Sequence, residues 1–257
     1  MLDAPPVVGL WGTPAWAGRA MQLLREAGFA PVTYAPTERW LDTLLDRYPA
    51  LLLVDATQPA WATWVIALKA EQATRRVPVL VVAAQRTIER MAQEAGADGV
   101  LWLDDLDRTL VERAGALAWR MDAVTRALLA CQCAQPLPPL GQQGVRHFNA
   151  GEYYAQHEAF EAQWMAERGP VRELYRAILQ VGVAYYHVTR GNHAGALRML
   201  QRSVQWFARL PDVCQGVDVR QLREDAERAR HVLQALPAEQ IASFDRSLLR
   251  PIRLAKP

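Results

Sequence analysis

The first half of the chain alternates short apolar runs with amphipathic stretches. The apolar runs are rich in Val and Leu and are bounded by turn residues, a pattern typical of buried parallel strands; they cover residues 7–11, 31–34, 51–54, 77–83 and 99–103. The stretches between them carry apolar residues at helical spacing, which predicts helices over residues 16–26, 37–48, 61–74, 87–95 and 106–129. Five strands alternating with five helices predict an α/β domain with a flavodoxin-like, doubly wound five-stranded parallel sheet.

The second half of the chain has an entirely helical pattern. A cluster of prolines interrupts the periodicity, and we predict a Pro-rich linker over residues 131–142 that separates a domain of residues 1–130 from one of residues 143–257. Predicted helices cover residues 143–150, 152–167, 170–189, 193–209 and 218–236, with Asn192 and Asp218 as N-caps. Short connections between helices of this length favour a small antiparallel all-α bundle, with residues 243–257 packed as a tail.

Composition and charge exclude several classes of protein. No apolar run reaches the 18 residues of a membrane-spanning helix, and the first residues lack the basic start of a signal peptide, so we expect a cytoplasmic protein with no membrane partner. Residues 1–130 carry 13 Lys and Arg against 15 Asp and Glu, and residues 131–257 carry 16 against 12. This asymmetry is too mild for the basic face of a nucleic-acid binder. Arg198, Arg202 and Arg209 lie on or near one helix face, a pattern typical of solvated surface.

The cysteines suggest neither a disulfide framework nor a zinc site. Cys131, Cys133 and Cys214 are odd in number and lack a paired C-x-x-C. The Cys131-Gln132-Cys133 segment has the chemistry to chelate a metal or to oxidise, but we interpret it as two ordinary thiols at a helix end. This interpretation agrees with a cytoplasmic location.

Three segments resemble the receiver domains of response regulators. They are Leu51-Leu52-Leu53-Val54-Asp55-Ala56-Thr57-Gln58-Pro59, Val77-Pro78-Val79-Leu80-Val81-Val82-Ala83-Ala84 and Glu94-Ala95-Gly96-Ala97-Asp98. They occur in the expected order, and the resemblance covers about residues 6–128. It implies a CheY-like fold of bacterial signalling proteins, with Asp55 in the place of the phosphoacceptor.

The receiver's phosphorylation chemistry does not accompany the resemblance. Phosphoryl transfer to an aspartate needs a divalent metal held by carboxylates, and receivers supply these just after the first strand, where residues 7–13 contain no acid. The receiver Ser or Thr aligns with Ala83 and the receiver Lys with Leu103. Asp55 is therefore either a vestigial phosphoacceptor or a turn aspartate, and we interpret the domain as a pseudo-receiver that docks protein partners.

One predicted helix of the second half concentrates polar and aromatic residues on one side. At about 100° per residue, Tyr154, His157, Glu161 and Trp164 share an arc of about 80°. His157 and Glu161 are four residues apart, a spacing at which a His and a carboxylate can hydrogen-bond or bind one metal. The aromatic residues Tyr153, Phe160 and Trp164 are expected to belong to the core.

The next predicted helix offers a matching pair. Gln180 and His187 are seven residues apart and differ by about 20° around the helix axis. If the two helices pack antiparallel, His157, Glu161, Gln180 and His187 are able to face one another, with Asn192 close beyond.

This region resembles an uncharacterised prokaryotic family of helical domains, domain of unknown function 309. The hallmark H-x-x-x-E-x-x-W is met by His157, Glu161 and Trp164, and the segments at 178–187, 191–192 and 195–196 are also similar. The resemblance spans about residues 142–210. It implies no activity, because none is established for the family.

The polar cluster allows three readings. His157, Glu161 and Gln180 form a buried hydrogen-bond network, in which an unsatisfied group costs about 1–3 kcal/mol; or His157, Glu161 and His187 bind a divalent metal or a small ligand; or the helices form a peptide groove. A divalent metal is the only cofactor these residues suggest.

Two functions remain open on sequence grounds. The first is a non-phosphorylated regulatory or adaptor protein, with a pseudo-receiver that docks partners or forms a homodimer through its fourth and fifth helices, and a helical domain that binds a ligand or partner. The second is a metal-dependent hydrolase that uses His157, Glu161 and His187.

Overall fold

A computed structural model describes residues 4–255 of the chain. These residues form two compact units, of which the first ends at Arg120 and the second begins at Met121. We predicted a boundary at residue 130 followed by a linker to residue 142; the structure places the division earlier and fills most of that linker with helix.

The first unit is a parallel sheet with helices on both faces. Its strands are β1 Val7–Trp11, β2 Ala30–Tyr34, β3 Leu51–Asp55, β4 Val79–Ala83 and β5 Gly99–Trp102. All pairings are parallel and the order is β2-β1-β3-β4-β5, the flavodoxin-like arrangement that the alternating pattern predicts. The helices of this unit are α1 Ala17–Glu26, α2 Trp40–Asp46, α3 Trp61–Ala70, α4 Glu89–Glu94 and α5 Leu106–Leu117.

Each face of the sheet has its own core because side chains alternate along a strand. Leu10, Leu53 and Val82 pack in one core with residues of α1 and α5. Trp11, Val54 and Val81 pack in the other, with residues of α2, α3 and α4. The central strands are buried on both sides, which explains why they are continuous apolar runs in the sequence.

The helix predicted over residues 106–129 is two helices. α5 ends at Leu117 and α6 covers Ala123–Cys133. Asp122 stands between them and caps α6, because its side chain accepts a hydrogen bond of 2.8 Å from the backbone N–H of Thr125. The apolar periodicity continues across this break and does not show it. The cap at Asp122 determines where α6 begins.

The second unit contains α6 and five further helices. These are α7 Pro139–Asn149, α8 Tyr153–Ala166, α9 Arg172–Thr189, α10 His193–Phe207 and α11 Val219–Ala235. The predicted caps are confirmed: Asn192 accepts from the N–H of Gly195 and Asp218 from that of Gln221, both at 2.9 Å. Pro139 occupies the first position of α7, where a missing N–H costs nothing. A proline of the predicted linker therefore starts a helix.

A small hairpin and the chain's last described residues complete this unit. β6 Val213–Cys214 and β7 Val217–Asp218 pair antiparallel around Gln215 and Gly216, whose φ values of +50° and +75° suit a two-residue turn. Leu254 bridges to Val217. The side chain of Asn149 holds the tail through both backbone groups of Ile252, at 2.7 and 3.0 Å.

The interpretation of the cysteines is wrong. Cys133 at the end of α6 and Cys214 in β6 form a disulfide, and Cys131 is free and exposed. Their separation of 81 residues hides the pair from any local motif. Because stable disulfides are rare in reducing compartments, the cysteines give no support to the expected cytoplasmic location.

Candidate functional site

Asp55 lies at the carboxyl end of β3 and is only 3% exposed. Its carboxylate accepts hydrogen bonds from the backbone N–H and the hydroxyl of Thr57, at 3.0 and 2.8 Å, and a longer one of 3.4 Å from the amide of Gln58. The carboxylate is thus engaged within its own turn, the geometry of a turn aspartate.

β1, β4 and β5 also end at this edge of the sheet. Gly12, with φ +79°, and exposed Thr13 follow β1. β4 ends at buried Ala83. At the last residue of β5, Trp102, the guanidinium of Arg86 lies 5.0 Å from the centroid of the indole ring.

Asp98, in the receiver-like segment before β5, has a structural role at the opposite edge of the sheet. Its carboxylate accepts hydrogen bonds from Lys69 Nζ at 2.6 Å and from the N–H of Val79 at 2.7 Å. In this segment the receiver-like residue Asp98 therefore stabilises the fold.

In the second unit α8 and α9 pack antiparallel, as predicted. The ring of Tyr153 at the start of α8 contacts that of Tyr185 near the end of α9, with centroids 5.7 Å apart. At the other end, Trp164 contacts Arg172 at the start of α9. The expected core residues Tyr153 and Phe160 are buried, and Trp164 is half-buried.

The predicted polar residues do not form one network. His157 is half-buried and Glu161 is exposed, and neither makes a hydrogen bond or ion pair with the described residues. His187 Nδ1 lies 3.1 Å from the side-chain amide of Asn192. Tyr154 is 65% exposed and stands outside the cluster.

Gln180 takes part in a different interaction. It is 5% exposed, and its Oε1 accepts a hydrogen bond of 3.1 Å from Nε1 of buried Trp206 on α10. Gln180 is therefore buried and hydrogen-bonded, but its partner is Trp206, which sequence reasoning missed, and not His157 or Glu161.

The metal reading stays a prediction. Among the described residues, His157, Glu161 and His187 do not bring their ligand atoms within 4.8 Å of one another. These side chains would have to rotate to bind one ion, because the donor atoms of a common ion lie closer together.

Aromatic rings and arginines line the end of this helix face near the start of α9. Arg176 lies over two indoles, 5.0 Å from the ring centroid of Trp164 and 3.8 Å from that of Trp206. Arg172 also lies 5.0 Å over Trp164. None of Arg172, Arg176 and Trp206 is among the site residues predicted above. The i, i+4, i+8 spacing of Arg172, Arg176 and Gln180 is the signal that places them on one face.

A buried amide marks the contact between α8 and α9. Gln156 is 0% exposed, and neither its oxygen nor its nitrogen has a hydrogen-bond partner among the described residues. Its Oε1 sits only 1.7 Å from where a Cβ of Gly182 would be, so this glycine makes room for it. The next residue, His157, is half-buried, so the buried core and the predicted site residues are adjacent in the sequence here.

A tyrosine of α9 is buried beside this contact. Burial raises the pKa of Tyr185 well above the ordinary value of a tyrosine, and the negative charge of Asp225 acts in the same direction. Tyr185 therefore stays neutral at physiological pH and serves packing, with Phe148 and Tyr153 as ring neighbours.

The described residues hold no candidate for a membrane span: each helix in residues 4–255 is too short or too polar.

No curated protein matches the sequence. A crystal structure described as that of a "putative response regulator" from Chloroflexus aurantiacus J-10-fl is 20% identical, covers 44% of this chain and 98% of its own, and has a TM-score of 0.40. Residues 142–199, which run from α7 into α10, match the family of domain of unknown function 309 (DUF309). The resemblance carried by His157, Glu161 and Trp164 is thereby confirmed over these residues, and we refer to the matched residues 142–199 as the DUF309 domain.

Proposed function

We propose that this chain is a regulatory protein in which the receiver-like unit accepts no phosphoryl group and docks protein partners, while the DUF309 domain binds a ligand or a partner. The observation that carries the proposal is the state of Asp55. Its carboxylate is buried and accepts its hydrogen bonds from Thr57 and Gln58 in its own turn.

The surroundings of Asp55 support this reading chemically. A phosphoryl donor reaches an aspartate only if a cation neutralises the charge that develops, and a divalent cation takes oxygen ligands. β1 is followed by Gly12 and Thr13, so the acidic pair of a receiver is missing at that strand end. Ala83 and Leu103 supply neither a hydroxyl nor an ammonium group for the transferred oxygens.

The helices of this unit offer surface for docking. Met91 on α4 is 50% exposed and Val111 on α5 is 38% exposed. Apolar side chains at these positions are consistent with the predicted contact through the fourth and fifth helices, either with a partner protein or with a second copy.

The proposal is tested by treating the full chain with acetyl phosphate and Mg²⁺ and measuring its intact mass. An active receiver domain in the same buffer serves as the positive control, and Asp55→Asn as the matched variant. We expect no phosphoryl adduct on either form of this chain. An adduct on the native chain that is lost in Asp55→Asn would overturn the proposal.

A further inference from the structure

The helix α6 is poorly embedded in the second unit. Among its 11 residues, all within the described range, only Leu129 is buried, whereas Val124 and Leu128 are 79% and 47% exposed. An isolated helix of this length is only marginally stable in water. The stability of α6 therefore depends on the contacts that fix its carboxyl end to neighbouring elements.

Two adjacent residues fix the carboxyl end of α6. Cys133 is joined by the disulfide to Cys214 in β6. The side chain of Gln132 accepts a hydrogen bond of 3.1 Å from the N–H of Val171 and donates one of 3.3 Å to Glu167, both in the segment that precedes α9. The covalent link is the strongest of these attachments. Breaking it leaves α6 held by hydrogen bonds and by the packing of its one buried side chain.

The hairpin on the other side of the disulfide has a backbone conformation that its sequence disfavours. Gln215 has φ +50°, in the left-handed region that Gly, Asn and Asp prefer in such turns. It is 6% exposed, its N–H donates to the carbonyl of Cys133, and its side chain accepts from Tyr175. A strained residue keeps its conformation where its surroundings hold it in place. Loss of the disulfide therefore removes part of the restraint on Gln215.

The disulfide is open to attack from one side. Cys133 is half-buried and Cys214 is 0% exposed, so an incoming thiolate attacks Sγ of Cys133. A mixed disulfide with Cys133 forms as the bond to Cys214 breaks, and Cys214 leaves as a thiolate that takes up a proton. The second thiol of a dithiol reductant then attacks the reductant's own sulfur and releases Cys133. The products are two protein thiols and one oxidised dithiol, a transfer of two electrons and two protons.

We propose that the Cys133–Cys214 disulfide is a redox-sensitive latch on α6, opened by a dithiol reductant and closed by the reverse exchange with a disulfide. After reduction the second unit keeps its fold, but α6 opens locally more often because its remaining attachments are weak. α6 is the first helix after Arg120, the last residue of the receiver-like unit, so the latch acts on the segment that follows that unit in the chain. The inference goes beyond the proposed function and does not depend on the state of Asp55.

The first test asks whether the disulfide opens in the folded chain. The full chain is treated with dithiothreitol in native buffer, trapped with excess N-ethylmaleimide in denaturant and mapped by mass spectrometry. We expect adducts on Cys133 and Cys214 under conditions in which circular dichroism still shows the native fold, and the disulfide should form again with oxidised glutathione. A disulfide that reacts only after urea has unfolded the chain would overturn the latch.

The second test measures the opening of α6 by limited digestion of the full chain with trypsin. The bond between Arg126 and Ala127 lies within α6, and the matched control bond between Arg176 and Ala177 lies within α9. Both bonds join Arg to Ala, so their cleavage rates report how often each helix opens. Reduction should accelerate cleavage after Arg126 by about tenfold or more relative to cleavage after Arg176, because proteolysis follows the population of the open form.

Variants separate the latch from a general loss of stability. Cys214→Ser should show the fast cleavage after Arg126 without reductant and should not respond to it, whereas Cys131→Ser keeps the disulfide and should behave as the native chain does. Equal acceleration at the two bonds, or no acceleration after Arg126, overturns the latch. If circular dichroism shows that Cys214→Ser is not folded, Cys133→Ser takes its place. Either result leaves the phosphorylation test on Asp55 unaffected.

Discussion

The disulfide between Cys133 and Cys214 allows the sharpest test of the structure. It closes a loop with a sequence separation of 81 residues, and it joins the end of α6 to the hairpin that precedes α11. In the chain-entropy description a crosslink stabilises a protein by restricting the unfolded chain. For a loop of this length it contributes about 4.5 kcal/mol to the free energy of unfolding.

Neighbouring contacts hold the same junction. The N–H of Gln215 donates to the carbonyl of Cys133 at 2.7 Å, and the hydroxyl of Tyr175 donates to Oε1 of Gln215 at 2.8 Å. These contacts keep the two cysteines close after reduction, so the native fold is expected to survive with lower stability. The crosslink therefore acts mainly on the unfolded state.

The assay is urea denaturation of the full chain with and without a phosphine reductant, followed by Cys214→Ser and Cys131→Ser. Reduction should lower the free energy of unfolding by about 3–5 kcal/mol. Cys214→Ser should resemble the reduced protein and should not respond to the reductant. Cys131→Ser removes an exposed thiol two residues from the crosslink, so it should change the free energy by less than about 0.5 kcal/mol.

A thiol count in denaturant checks the covalent claim directly. The structure predicts one titratable thiol per unreduced chain, from Cys131. Three thiols in protein prepared without reductant, or equal stability with and without reductant, would refute the reasoning.

Two further predictions concern the helical unit. Gly182→Ala puts a Cβ 1.7 Å from Oε1 of fully buried Gln156. Overpacking costs about 1–3 kcal/mol and better helix propensity returns about 1 kcal/mol, so urea denaturation should show a net loss of up to about 2 kcal/mol. Adding Gln156→Ala should restore most of that loss, and a double variant no more stable than Gly182→Ala would contradict the contact. Burial raises the pKa of Tyr175 from 10.0 to about 12, so the folded state holds this proton longer than the unfolded chain. Its contribution to stability is complete below pH 10 and is lost as the pH rises through about 12. The free energy of unfolding, measured by urea denaturation between these pH values, should fall less steeply with pH in Tyr175→Phe. An unchanged fall would argue against the raised pKa of Tyr175.

Local patterns in the sequence determined most of the secondary structure of this protein. Continuous Val and Leu runs predict β3 and β4 because strands covered on both faces have no polar side to alternate with. Asn192 and Asp218 start α10 and α11 because each side chain accepts a hydrogen bond from the backbone N–H three residues on. The family motif of His157, Glu161 and Trp164 is also a local pattern, and the family match confirms it.

The tertiary structure decided what depends on distant partners. The apolar periodicity continues past Asp122, so it predicts one helix where the structure has α5 and α6. The cap that separates them is a single residue and does not interrupt the apolar pattern. Cys133 and Cys214 become a disulfide only when the hairpin reaches the end of α6.

The candidate site divides in the same way. The sequence places His157 and Glu161 on one helix face, but only the packing of three helices puts Gln180 on Trp206 and Arg176 between two indoles. The angle between residues around a helix shows which of them share a face of that helix. Contacts between helices depend also on how the helices are shifted and rotated relative to each other, which these angles do not determine. The contacts among α8, α9 and α10 therefore form only in the packed bundle.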